Sequence, residues 1–220
     1  MPLDPKFDVL PAAQRELWPA LGAAQQLGFV LYGGTALALQ LGHRQSVDFD
    51  FFRTEALGKP QLRDAFSFLR GAAVLQDAPN TLAVLANLPS GTVKVSFFGN
   101  LKMGRIADPL KTRDGTLLVA TMDDLMATKL KAILDRAEAK DYRDIAAMLA
   151  AGVSLSKGLA GFRAMFGGEP IVALKALGFF EDGDLSTLPE PDKALLRSAR
   201  DQVRGLPEVS VRTGLLAAGA

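Results

Sequence analysis

Two short series in this sequence bring together residue types able to do chemistry. The first is Gly33-Gly34-Thr35 followed by Asp48-Phe49-Asp50. Val47 to Phe52 alternates as a strand, and residues i and i+2 of a strand share a face. Asp48 and Asp50 therefore point together, while Val47, Phe49 and Phe51 take the opposite, buried side. Adjacent carboxylates repel each other, and desolvation makes that worse. A divalent cation relieves both costs, and Mg²⁺ commonly takes one or two carboxylates plus substrate phosphates. The Gly pair sits where a strand turns into a helix. Glycine there lets backbone N–H groups approach a phosphate, and the helix N-terminus favours the anion. Thr35 can cap that helix or touch the phosphate. Taken singly, Gly-Gly-Thr reads as a turn and Asp-x-Asp as solvated surface. Together, on a strand carrying Phe49, Phe51 and Phe52, they favour a site.

The second series lies downstream. Lys129, Ala132 and Arg136 fall at i, i+3 and i+7, on one helix face. Leu125, Leu130, Ile133 and Leu134 form its apolar side. After a break comes Lys140-Asp141-Tyr142-Arg143-Asp144, with Asp141 and Asp144 on one face of the next helix. By spacing alone, solvated faces or i,i+4 ion pairs also account for these charges. A third stretch, Val93 to Phe98, alternates as a strand whose polar face is Lys94 and Ser96. A two-metal site would welcome a third carboxylate on such a neighbouring strand. Ser96 stands there instead, so the expected metal shell holds two Asp side chains.

Composition narrows what else is possible. The 220 residues are 49% hydrophobic and 22% charged, the values of a soluble globular protein with a sizeable core. A formal net charge of +1 excludes the strongly basic footprint of a protein whose whole surface grips nucleic acid. A local basic groove stays open. With no Cys there is no disulfide framework, thiolate nucleophile or Cys-ligated metal, and the lone His43 excludes a multi-histidine site. Met1 to Lys6 lacks the basic and apolar regions of a signal peptide. The uncharged stretch between Glu16 and Arg44 contains Pro19, Gln25, Gln26, Gln40 and two adjacent glycines, so it is no membrane span. The expected location is cytoplasmic, with no membrane partner.

The elements that must position these residues follow from periodicity. A loose arm over the first eight residues precedes a helix from Leu10 to about Leu27, then a strand at Phe29 to Tyr32. Ala36 to Leu41 is helical, with Gly42 as its C-cap. Lys59 to Arg70 is a further helix. Residues 74 to 121 read as a meander with strands at Val74 to Gln76, Thr81 to Ala86, Val93 to Phe98 and Leu117 to Thr121. From Met122 the grammar is helical: Asp123 to Arg136, Tyr142 to Ala151, Lys157 to Phe166, Ile171 to Leu177 and Pro191 to Arg204. The expected division is 1–121 and 122–220, with a frayed or lightly docked tail from Leu215 to Ala220.

The series from Gly33 through Ala38-Leu39 to Gly42-His43-Arg44-Gln45-Ser46-Val47-Asp48-Phe49-Asp50 resembles the first motif of the AbiEii/AbiGii toxin family. That family belongs to the nucleotidyltransferase superfamily typified by DNA polymerase beta. Lys129-x-x-Ala132, Arg136 and Lys140-Asp141-x-x-Asp144 resemble its downstream motifs, with Lys140 in place of the more usual Arg. The resemblance implies an α+β fold, a nucleotidyltransferase-like mixed sheet flanked by helices and followed by a C-terminal helical domain that closes a nucleotide cleft. By that likeness Asp48 and Asp50 are Mg²⁺ ligands, and Gly33, Gly34 and Ser46 are phosphate contacts, with Thr35, Arg44 and Arg136 also nucleotide-binding. Lys129 is the triphosphate-binding cation, and Asp141 with Asp144 the remaining acidic pair of the catalytic set. The implied reaction moves NMP from an NTP to a hydroxyl of RNA, such as a tRNA 3′ end, or of protein. It implies a toxin of a toxin–antitoxin or phage-defence system, with a cognate antitoxin as partner. A catalytically degenerate nucleotide- or RNA-binding module is the alternative, and a phosphohydrolase lacks His ligands. An RNA acceptor calls for a basic strip, for which Lys102, Arg105, Lys111, Arg113, Lys129, Lys131, Arg136 and Lys140 are the candidates, unless they are simply solvated.

Overall fold

A computed structural model describes residues 2–218 of the chain, which form two compact units. Unit 1 takes in 1–104, 108–120 and 213–220; unit 2 takes in 105–107 and 121–212.

In unit 1, α1 (Ala12–Leu17), a 3-10 turn at Trp18–Leu21 and α2 (Ala23–Gln26) replace the single helix expected over Leu10 to Leu27. Pro19 explains the break, since it offers no N–H and its ring crowds the preceding turn. Then come β1 (Val30–Tyr32), α3 (Gly33–Leu41), β2 (Asp48–Phe52) and α4 (Lys59–Ala65). They are followed by β3 (Ala73–Ala78), β4 (Thr81–Leu88), β5 (Gly91–Phe98), β6 (Leu110–Lys111) and β7 (Leu118–Val119). The seven strands form one mixed sheet in the order β3-β4-β5-β2-β1-β7-β6. Only β3 to β5 make the expected meander. β2 pairs parallel with β5, and β1 parallel with β7, so the centre of the sheet is built from pairings distant in sequence.

Alternation along β2 buries Phe49 and Phe51 completely on one face. There Phe51 stacks on Phe97 at 5.5 Å, and Phe97 also meets Phe29 and Phe66 at 5.3 and 5.1 Å. Each buried Phe contributes roughly 1.5–3 kcal/mol relative to exposure, so this aromatic cluster fixes which face of β2 points inward. Val47 departs from the expectation: it precedes the strand and is 60% exposed.

The first residues are not a loose arm. Leu3 bridges in parallel to Thr112 beside β6, and Lys6 donates through its amide and its Nζ to the carbonyls of Leu39 and Leu41 at the C-terminus of α3. Those carbonyls have no partner within the helix, and a cation there also suits the dipole. At the other end of the chain, Thr54 Oγ1 donates to the Gly214 carbonyl and accepts from the Leu216 amide, and Leu216 is buried. The tail is thus docked as far as it is described; Gly219 and Ala220 lie outside the described residues.

Unit 2 contains α5 (Met122–Asp135), α6 (Ala139–Ala150), α7 (Leu155–Phe166), α8 (Pro170–Ala176) and α9 (Glu190–Gln202). Thr121 caps α5, its hydroxyl accepting from the Asp124 amide and donating to the Asp124 carboxylate. That carboxylate, fully buried, also accepts from the Ile106 amide at 2.6 Å and ties 105–107 to the helix. Burial pushes its pKa up, against the hydrogen bonds from Ile106 and Thr121. α6 starts at Ala139, a turn earlier than periodicity suggests, because Asp184 accepts from the Ala139 amide at 2.6 Å. Lys140 and Asp141 are thereby drawn into its first turn. Among the described residues no helix is long and apolar enough to cross a membrane.

Candidate functional site

In unit 1 the site grows from the junction of β1 and α3. Tyr32, at the N-cap position, is extended and gives no side-chain cap to the first amides of α3. Gly33 follows at φ +75°, a left-handed conformation. A Cβ on Gly33 would stand 2.7 Å from Asp50 Oδ2, so the backbone and this carboxylate approach closely only because the residue is glycine. A Cβ on Gly34 would stand 2.5 Å from Arg44 Nη2 and 3.1 Å from Ser46 Oγ. Gly33, Gly34, Arg44, Ser46 and Asp50 are therefore brought together by one strand–helix turn and the loop that returns to β2.

Of the two places open to Thr35, the structure excludes the helix cap. Thr35 is buried, its hydroxyl donates to the Asp48 carbonyl, and it shares a 2.9 Å hydrogen bond with Ser46 Oγ. It does not cap α3. Its side chain instead pins the start of β2 to the first turn of the helix, which holds Asp48 in register. Arg44 Nη1 donates to the Gln45 carbonyl, turning the guanidinium back over its own loop toward Gly34.

Asp48 and Asp50 project from the β2 face opposite the buried Phe49 and Phe51, as alternation requires. The neighbouring strand lies in register with Lys94 beside Asp48 and Ser96 beside Asp50. Lys94 Nζ is 3.7 Å from Asp48 Oδ2, with side chains 42% and 36% exposed. Ser96 is buried. No group of three or more His, Cys, Asp or Glu able to hold a metal occurs among the described residues. Two hard oxygen donors on one face, beside a glycine cradle that a Cβ would fill, suit a hard divalent cation, which would take its remaining ligands from phosphate and water. Sequence reasoning saw Lys94 as strand polarity and gave it no role. Only the parallel register of β2 and β5 sets it against Asp48.

In unit 2 the downstream residues form a buried ion cluster. Lys129 Nζ lies 2.7 Å from Asp141 Oδ1 and 2.6 Å from Asp144 Oδ2, with both carboxylates fully buried and the lysine side chain 7% exposed. Arg136 Nε donates to Asp141 Oδ2 at 2.8 Å. Burial pushes Asp141 up, but the Arg136 hydrogen bond and the Lys129 charge outweigh it and hold the carboxyl below the usual range. These charges are neither a solvated face nor an i,i+4 surface pair. The ammonium is the hub that neutralises two acids in the interior.

The basic strip is revised by the same geometry. Arg105 is buried and bridged through its backbone to Arg212, and Lys129 is sequestered. Lys131 pairs with Asp135, Lys140 with Glu138, and Arg113 lies 3.8 Å from Asp4. Of the strip candidates, Arg105 and Lys129 are thus buried rather than solvated.

Against this geometry, comparisons with known proteins give the following. The profile of the family described as nucleotidyl transferase AbiEii toxin, type IV toxin–antitoxin system, matches residues 20–212. An uncharacterized protein of Aquifex aeolicus (strain VF5) is 34% identical over 123 residues, which are 53% of this chain and 55% of the relative. The match thus spans about half the length of that curated relative. Among solved structures, a candidate nucleotidyltransferase from H. pylori gives a TM-score of 0.49 at 19% identity, over 86% of this chain and 92% of that one. An antigenic nucleotidyltransferase-like protein from Paracoccidioides brasiliensis gives 0.46 at 17%, over 87% and 94%.

Proposed function

We propose a function from the family to which the chain belongs, the AbiEii nucleotidyl transferase toxins of type IV toxin–antitoxin systems: it transfers NMP from an NTP to an acceptor hydroxyl. The acceptor we favour is RNA, such as a tRNA 3′ end. In the reaction the acceptor oxygen bonds to the α-phosphorus as the bridge to the β-phosphate breaks. Pyrophosphate leaves, and the hydroxyl proton passes to solvent.

One observation carries the reading. Gly33 closes on the Asp50 carboxylate while Gly34 closes on Arg44 and Ser46, so a two-carboxylate face and an anion cradle share one turn. Asp48 and Asp50 would hold Mg²⁺, which when bound supplies charge neutralisation for the triphosphate. The amides of Gly33 and Gly34, the Arg44 guanidinium and the Ser46 hydroxyl would bind phosphate oxygens and orient the α-phosphorus. Thr35 acts indirectly, by fixing the start of β2. Within unit 2, Asp141 and Asp144 hold the Lys129 ammonium, and Arg136 joins them at Asp141. In this reading the chain is a cytoplasmic toxin whose effect a cognate antitoxin opposes.

The test is to incubate the protein with Mg²⁺, labelled NTPs and total RNA, and to follow labelled product and pyrophosphate. Asp48→Asn and Asp50→Asn should each abolish transfer with the fold intact. Nucleotide binding without incorporation by the unaltered chain would assign it instead to a non-catalytic module, a reading favoured by Ser96 standing where a third carboxylate would be. Growth with and without the neighbouring gene reports toxicity.

A further inference from the structure

The register between β2 and β5 puts an ammonium, and no acid, on the far side of the carboxylate pair. β5 presents Lys94 to Asp48 and Ser96 to Asp50. Lys94 Nζ at 3.7 Å from Asp48 Oδ2 is too far for a good hydrogen bond, and with the lysine side chain 42% exposed the pair adds little to stability. A residue placed for stability alone would not need this position. What it does change is the local charge. Three carboxylates with two divalent cations leave one net positive charge. Two carboxylates with one divalent cation and one ammonium leave the same.

We propose that Lys94 is the resident second cation of this site, an ammonium standing in for a second metal, so that the chain holds a single divalent ion. The inference rests on the reading of Asp48 and Asp50 as metal ligands and adds a residue to it. In the empty protein Lys94 partly neutralises Asp48 and keeps divalent affinity low, so the ion arrives together with the triphosphate it accompanies. With the triphosphate in place, the ammonium is free to contribute its charge to the phosphate oxygens. A second divalent ion beside it would be repelled by both positive neighbours. Ser96, buried and neutral, gives that second ion no compensating ligand.

The experiment is a Mn²⁺ titration of the full chain without nucleotide, read by the spectroscopic signal of free Mn²⁺. The unaltered chain should bind one ion weakly. Lys94→Met should still bind one, but about tenfold tighter. That factor follows from removing a unit charge about 5 Å from a divalent one in largely solvated surroundings. Lys94→Arg, which keeps the charge, should stay within about threefold of the unaltered chain on the same electrostatic argument. Lys94→Asp should raise the stoichiometry to two. Two ions on the unaltered chain, or an unchanged affinity in Lys94→Met, would overturn the proposal. Asp48→Asn separates the readings: Mn²⁺ binding that survives it removes the metal assignment and the Lys94 inference together. If the titrations behave as expected while no NTP gives product, the transfer reading fails and the charge role of Lys94 stands.

Discussion

Gly33→Ala concentrates the logic of the site in one methyl group. The residue sits at φ +75°, where an L side chain costs about 1–2 kcal/mol. The added Cβ would lie 2.7 Å from Asp50 Oδ2 and 3.5 Å from Asp50 Cβ, so the carboxylate must swing off its favoured rotamer, at roughly 0.5–1.5 kcal/mol. The stiffer unfolded chain of the variant offsets about 0.4–1 kcal/mol of this. The net cost is therefore about 2 kcal/mol, which for a chain of this size lowers the melting temperature by about 4–8 °C. Gly34→Ala is the internal control. Gly34 has no positive φ, and its Cβ would meet Arg44 Nη2 at 2.5 Å and Ser46 Oγ at 3.1 Å, both at side-chain ends. A flexible guanidinium can yield, so the cost should stay below about 1 kcal/mol and the melting temperature should fall by no more than about 4 °C. Thermal unfolding followed by circular dichroism measures both, and Mn²⁺ titration of Gly33→Ala should show affinity reduced as the displaced carboxylate leaves the shared face. If Gly33→Ala melts with the unaltered chain and binds Mn²⁺ equally well, the close approach of this turn to Asp50 is not what shapes the site.

Two further outcomes follow from carboxylates held by specific partners. Lys129→Met leaves two buried carboxylates without their hub, and should cost about 3–5 kcal/mol by urea denaturation. Because Asp141 is held low in the folded state, its contribution is complete above the unfolded carboxyl value and is lost as pH falls through the lowered one. The variant should accordingly lose less stability on acidification, and parallel acid profiles would refute the cluster's role. Asp114 accepts from Trp18 Nε1 at 2.7 Å, and although burial pushes its carboxyl up, the hydrogen bonds from Thr112, Trp18 and Thr116 hold it down at about 2. Asp114→Ala should cost about 1–3 kcal/mol, the usual range when a buried donor loses its partner. It should also shift the fluorescence of the chain's one tryptophan, and an unchanged spectrum would exclude the bond.

Local patterns in the chain made much of this site legible, and distant pairings hid the rest. The Gly33-Gly34 turn, the shared face of Asp48 and Asp50 and the buried Phe49 and Phe51 follow from strand period and glycine chemistry, and the structure places them so. The family likeness read from the two motif groups holds across residues 20–212. Of the two places open to Thr35, the cap was ruled out from a distance: a Thr after two glycines suits a cap, while its partner, the Asp48 carbonyl, lies 13 residues on. The sequestering of Lys129 depends on α6 beginning at Ala139, which Asp184 decides from 45 residues away. β6 escaped notice because two residues carry no period, and β1–β7 pairing joins segments that no local signal connects.

The docking of Gly214 and Leu216 on Thr54 has a consequence for synthesis. Unit 1 is not a continuous stretch of chain: the whole of unit 2 is translated before the last segment of unit 1, from Thr213 on, exists. A nascent chain released from the ribosome's tunnel only as far as Ala120 would have the whole seven-stranded sheet, yet nothing to satisfy Thr54 from the tail. Unit 1 is therefore the first to begin folding and the last to finish. Ribosome-bound chains of increasing length should show its protease resistance rising in two steps, the second only when Leu216 has emerged.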